Sequence, residues 1–103
     1  MKIEKTFDRN SNAWIGDGSY NRMFVYRQLD YAFTLLKSRG HLFINEVYDM
    51  LAMPRTKSGQ IMGWVYDELN DRDFVTITSK DNNVDVKIEF QNVIENVIDY
   101  LQD

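Results

Sequence analysis

The chain has 103 residues, is 44% apolar and 14% aromatic, and carries a net charge of −4. That length fits one domain with one core, and that apolar content excludes a disordered tail. The absence of cysteine excludes a disulfide framework, a thiolate nucleophile and a sulfur-ligated metal site, and points to an intracellular, reducing location.

Residues 1–21 show no clear period and are expected to form an irregular N-terminal arm. Turns are read at Asn10-Ser11-Asn12 and Asp17-Gly18-Ser19, with Trp14 and Ile15 pinning the arm to a body made of residues 22–103. Residues 22–39 predict a long helix, because Val25, Leu29, Ala32, Phe33 and Leu36 fall at offsets of 0, 4, 7, 8 and 11 and form one apolar stripe. Asn21 is placed to cap its start. Lys37 and Arg39 suit the dipole in its last turn, and Gly40 supplies a left-handed C-cap. His41 to Ile44 reads as extended, and Asn45 caps a short second helix, Glu46 to Ala52, which Pro54 helps to close.

The stretch from Arg55 to Asp67 admits two readings. Gly59 and Gly63 would each cost about 1 kcal/mol against alanine inside a helix, and Trp64, Val65 and Tyr66 favour strands. A loop or single helical turn through Ile61, then a strand from about Gly63 to Tyr66, is preferred over one helix from Lys57 to Leu69. An antiparallel hairpin over about 74–90 follows. Phe74 to Thr78 is rich in strand formers, Lys80-Asp81-Asn82-Asn83 is turn chemistry, and Val84, Val86, Ile88 and Phe90 alternate with Asp85, Lys87 and Glu89. The last element is an amphipathic helix, about Asn92 to Gln102. Val93, Ile94, Val97, Ile98 and Leu101 form its apolar face, and Glu95, Asp99 and Asp103 form an acidic stripe. These elements define a small α+β fold in a single domain: a long N-terminal helix, a short second helix, a small antiparallel sheet and a C-terminal helix.

No constellation of catalytic chemistry is read. The single histidine, His41, cannot assemble a zinc site without cysteines and reads as a packing residue. No serine lies in a G-x-S-x-G elbow. Asp81-Asn82-Asn83-Val84-Asp85 opens like a calcium loop, but Val86 stands where glycine belongs and Asn92 where glutamate belongs. The run GQIMG lacks the ending of a phosphate loop, so Gly59 and Gly63 are assigned to turns or close packing. The pairs Glu46/Asp49 and Asp67/Glu68 show no reason for a shifted pKa and read as solvated surface. A non-enzymatic protein with no cofactor and no metal is expected.

Charge is spread unevenly along the chain. Residues 1–40 hold seven Lys/Arg against four Asp/Glu, or +3; residues 41–70 hold two against four, or −2; residues 71–103 hold three against eight, or −5. Such an acidic last third repels phosphate backbones and suits a basic protein partner, although acidic surface also serves solubility alone. Arg55 and Lys57 form a small basic pair in a loop, too few cations for an ordinary nucleic-acid site. Met23 to Leu36 is broken by Arg27, Gln28 and Asp30, so no membrane span is expected.

The blocks Asn45-Glu46-Val47-Tyr48-Asp49-Met50-Leu51, Pro54-Arg55-Thr56, Gly59 and Gly63-Trp64-Val65-Tyr66-Asp67 resemble a module of small proteins encoded by phages and prophages of Gram-positive bacteria. The resemblance covers roughly residues 41–68 and implies a biological setting without a reaction. Ala52 stands where the resemblance would place glycine.

The reading preferred on these grounds is an interaction module, an inhibitor or adaptor acting in the host cytoplasm. Its partner would be a protein, with a basic nucleic-acid-binding host protein the best match to the charge. The candidate contact residues are Tyr48, Arg55, Lys57, Trp64, Tyr66, Glu95, Asp99 and Asp103. Two alternatives stand beside it. One is a winged-helix DNA binder, which needs the continuous helix 57–69. The other is a virion or assembly component working as a homo-oligomer.

Overall fold

The computed structural model describes residues 1–66, 74–78 and 83–101. In chain order the elements are β1 (Ile3–Phe7), α1 (Gly18–Arg39), β2 (His41–Phe43), α2 (Ile44–Met50), a 3₁₀ turn (Ser58–Gln60), β3 (Gly63–Val65), β4 (Val75–Ile77), β5 (Val86–Phe90) and α3 (Val97–Leu101). The fold is α+β. One antiparallel sheet has the order β1-β5-β4, and a second pairs β2 with β3.

Helix α1 forms where its periodicity places it, with Val25, Leu29, Ala32 and Leu36 all buried and Gly40 in the left-handed region at φ 89°. Its start lies four residues earlier than the sequence suggested. Asp17 is the N-cap and accepts from the Tyr20 N–H at 3.1 Å. Asn21, expected as the cap, sits fully buried inside the helix. Its Oδ1 accepts from the Ile15 N–H at 3.0 Å, and its Nδ2 donates to the carbonyls of Ile15 and Val84 at 2.7 and 3.0 Å. One amide thus ties the N-terminal segment, α1 and the start of β5 together.

The expectation of an irregular arm over 1–21 is corrected. Ile3–Phe7 is a strand that pairs antiparallel with β5, Ile3 opposite Phe90 and Phe7 opposite Val86. Residues 18–21 belong to α1. Within the arm, Trp14 packs against the core, as expected, and its Nε1 donates to Asp85 at 2.9 Å, whereas Ile15, expected beside it, is exposed.

The sheet faces follow the pleat. Val86, Ile88 and Phe90 point into the core, beside Phe7 of β1 and Val75 and Ile77 of β4. The hairpin over 74–90 is therefore present, with Val75 opposite Phe90. Its turn residues 80–82 lie outside the described residues.

The region with two readings resolves as a turn and a strand. Ser58–Gln60 makes one 3₁₀ turn and Gly63–Val65 pairs with β2. A continuous helix from Lys57 is thereby corrected through Val65; Asp67, Glu68 and Leu69 lie outside the described residues. Close packing sets the glycines. A Cβ on Gly63 would lie 1.9 Å from the Leu42 carbonyl oxygen, and one on Gly59 would lie 2.2 Å from Asn45 Oδ1.

Asn45, expected as the cap of α2, lies one residue inside it and binds the Thr56 backbone through both side-chain atoms, at 2.9 and 3.0 Å. Phe43 takes the cap position, where its N–H donates to Glu46 Oε1 at 3.1 Å. The helix ends in a Schellman arrangement: Met53 N–H donates to the Tyr48 carbonyl at 2.8 Å, and Ala52 takes φ 55°.

The C-terminal helix is shorter than the spacing suggested. After β5, Asn92 adopts φ 56° and turns the chain. Ile94 then exchanges both backbone bonds with Gly63, at 2.7 and 3.0 Å, and Val97 N–H donates to the Ile61 carbonyl at 2.7 Å. With those groups engaged by the 61–63 backbone, residues 92–96 cannot form helical bonds, and α3 begins at Val97. The buried residues of this segment are Val93 and Val97, whereas Ile98 and Leu101 are exposed.

Candidate functional site

The contact residues expected from the sequence divide into buried and exposed sets. Tyr48 and Trp64 are 2% and 4% exposed. Trp64 stacks edge-on to Phe74 at 4.5 Å and approaches Phe90 at 5.9 Å, while its Nε1 donates to the Gln91 carbonyl at 2.7 Å. Tyr48 meets Phe90 at 6.0 Å and lies under Lys5 Nζ, and burial pushes its phenol pKa up. Both complete the core and present no face to a partner. Tyr66 is half-buried against Phe33 at 6.3 Å.

Arg55 is exposed, but its guanidinium is engaged by Asp49, with Nε to Oδ1 at 2.9 Å. That bond holds the Asp49 carboxyl below its ordinary pKa. Arg39 grips Glu46 with two bonds of 2.8 Å and likewise lowers its pKa, assisted by the Phe43 N–H. Glu46 and Asp49, which the sequence left as solvated surface, are thus bound to separate arginines and favoured in the ionised form. Lys57 is exposed beside the 3₁₀ turn. Glu95 and Asp99 are exposed, but Glu95 precedes α3, so the two do not form the helical stripe expected of them. Asp103, like Asp67 and Glu68, lies outside the described residues. His41 stands on β2, edge-on to Phe43 at 5.7 Å. Among the described residues no group of three or more His, Asp or Glu side chains could hold a metal ion, and no helix is long and apolar enough to cross a membrane.

The exposed apolar surface lies elsewhere, on the face of α1 turned away from the core. Tyr20, Met23 and Tyr31 are 47%, 53% and 58% exposed. With Arg27 they fall at offsets of 0, 3, 7 and 11, so they share one side of the helix. Tyr26, also exposed, stands on the flank facing β4. Helix α1 therefore carries apolar residues on opposite faces, one packed and one bare. The signal was present in the sequence as a second helical-period series, overshadowed by the more strongly apolar buried one.

Beside that flank, a cavity of about 320 Å³ opens between α1 and β4. Leu29 and Phe74 are its buried lining, Phe33, Val75 and Ile77 are half-buried, and Tyr26 and Asp30 are exposed at its rim.

Fold and surface together define a small α+β domain with an aromatic-bearing helix face. The chain belongs to DUF6353, a family of unknown function whose model matches residues 2–101. No curated protein and no solved structure matches it.

Proposed function

We propose that this domain is a non-enzymatic protein-interaction module of phage or prophage origin, an inhibitor or adaptor that docks on a host protein. The observation that carries this reading is the row Tyr20, Met23 and Tyr31, each about half exposed or more on one side of α1. Tyrosine and methionine are enriched where proteins meet, and tyrosines supply large contact area at low entropic cost. Four such side chains on one helix, counting Tyr26, exceed what a solvated helix face requires. Glu46 and Asp49 serve as ion-pair partners of Arg39 and Arg55 in this reading. The phage setting rests on the sequence blocks over residues 41–68.

The DNA-binding alternative loses the element it required, because residues 63–65 form β3 in place of a recognition helix. The test is capture from a host lysate with the wild type and with Tyr20→Ser plus Tyr31→Ser. A specific protein held by the wild type and lost by the double variant, with both variants equally stable, is the expected result. Equal capture by both would remove α1 as the contact face.

A further inference from the structure

We infer that the groove between α1 and β4 is a docking site for an extended peptide segment carrying one arginine or lysine, added as a strand along β4. This rests on the reading of the domain as an interaction module and specifies one of its surfaces.

The first observation is the sheet edge. The order β1-β5-β4 leaves β4 with no strand on its outer side among the described residues. The Phe74 carbonyl accepts from Gln91 N–H at 2.9 Å, and Thr78 N–H donates to the Lys87 carbonyl at 3.0 Å. Those bonds fix the alternation, so Phe74, Thr76 and Thr78 direct their backbone groups toward β5. Val75 and Ile77 therefore turn N–H and C=O outward, two donors and two acceptors at the spacing an added strand would match. Their side chains line the groove on the inner face of the sheet.

The second observation is the groove's chemistry. Leu29 and Phe74 give it an apolar lining, and Tyr26 and Phe33 add aromatic rings. Among the described residues Asp30 supplies the one carboxylate of its lining, and that carboxylate has neither a hydrogen bond nor an ion pair there. An aromatic-lined cleft with a free carboxylate at its mouth fits a side chain with an aliphatic stem and a cationic head. The occupant is thus chosen by charge: a cationic head would gain an ion pair with Asp30, and an acidic one would be repelled. The net charge of −4 acts in the same direction by drawing cationic segments toward the surface.

The experiment titrates the ¹⁵N-labelled full chain with the N-acetylated, C-amidated octapeptide SVTVRVTS, and with the same peptide carrying glutamate in place of arginine. The expected result is saturable amide shifts at Leu29, Asp30, Phe33, Val75 and Ile77 with the arginine peptide. Asp30→Asn, a surface change that leaves the core intact, should weaken binding about five-fold, the size of one partly exposed ion pair. The glutamate peptide should bind more weakly than the arginine peptide to the wild type, and the gap between them should narrow with Asp30→Asn. Methylating alternate backbone nitrogens of the arginine peptide should abolish binding if the methyls fall on the nitrogens facing β4, and leave it unchanged in the other register.

Equal binding of the two peptides to the wild type, shifts confined to other surfaces, or no saturable shift would each overturn the site. So would a dimer joined through β4, detected as twice the chain mass by light scattering. A lysate partner captured through Tyr20 and Tyr31 without peptide binding at the groove would end this inference and leave the interaction module standing. Peptide binding without any captured partner would do the reverse.

Discussion

Ala52 occupies a left-handed backbone position, φ 55°, at the C-terminus of α2. That conformation costs an alanine roughly 1–2 kcal/mol, while glycine there forfeits about 0.4–1 kcal/mol through its freer unfolded chain. Ala52→Gly is therefore expected to stabilise the protein by about 0.5–1 kcal/mol, read as a higher urea midpoint at unchanged slope. The resemblance in the α2 block had placed glycine at this position, and the backbone supplies the reason. Gly63 gives the opposite case. An added methyl would lie 1.9 Å from the Leu42 oxygen and 2.8 Å from the Phe43 Cα, both backbone atoms that a rotamer change cannot move. Gly63→Ala should cost at least about 3 kcal/mol by forcing β2 and β3 apart, visible as a fall in the thermal midpoint. Asn21 is the third case at this scale. Asn21→Ala leaves the Ile15 N–H and the carbonyls of Ile15 and Val84 without their partner. A loss of about 2–4 kcal/mol is expected, together with faster hydrogen exchange at Ile15.

Among the elements, α1 and α2 are joined by the Arg39–Glu46 pair, and the sign of its pH dependence follows from the lowered carboxyl pKa. The stabilisation is complete above the unfolded glutamate value of about 4.3 and fades as the pH falls through the lower folded value. Both side chains are about one-third exposed, so solvent holds the contribution to on the order of 1 kcal/mol or less. Glu46→Gln should accordingly lower the urea midpoint at pH 7 and have less effect at pH 3; an equal effect at both would remove the ion pair as its source. The sequence made some elements readable and hid others for physical reasons. Helix α1 and strand β5 bury one regular series each, and such series survive in the sequence. Strand β1 does not, because Lys5 stands on the inner face between Ile3 and Phe7, its charge resting over the Tyr48 ring. That one residue breaks the alternation by which a strand is recognised. Over 92–96 the error ran the other way: apolar spacing suited a helix, but pairing of Ile94 with Gly63 took its backbone. The burial of Tyr48 and Trp64 was not legible, because such aromatics look alike as core or contact residues in a sequence, and only packing separates them.

At the scale of the whole molecule, one face of α1 is packed and the other meets solvent. The buried stripe holds the sheets, and the exposed tyrosines contribute little to stability. Tyr20→Ser plus Tyr31→Ser should therefore change unfolding free energy by less than about 0.5 kcal/mol per site, measured by urea titration, so that a lost partner reports on docking alone. The pairing of β1 with β5 bears on how the chain is made. Ile3 must wait for Phe90, and Phe7 for Val86. At ~5–20 residues per second of synthesis, a strand translated early spends on the order of 4–16 s without its neighbour. During that wait Ile3 and Phe7 are sticky on a nascent polypeptide, and Lys5 between them acts as a guard against pairing with the wrong chain. The same lysine that obscures the strand in the sequence thus protects it at the ribosome.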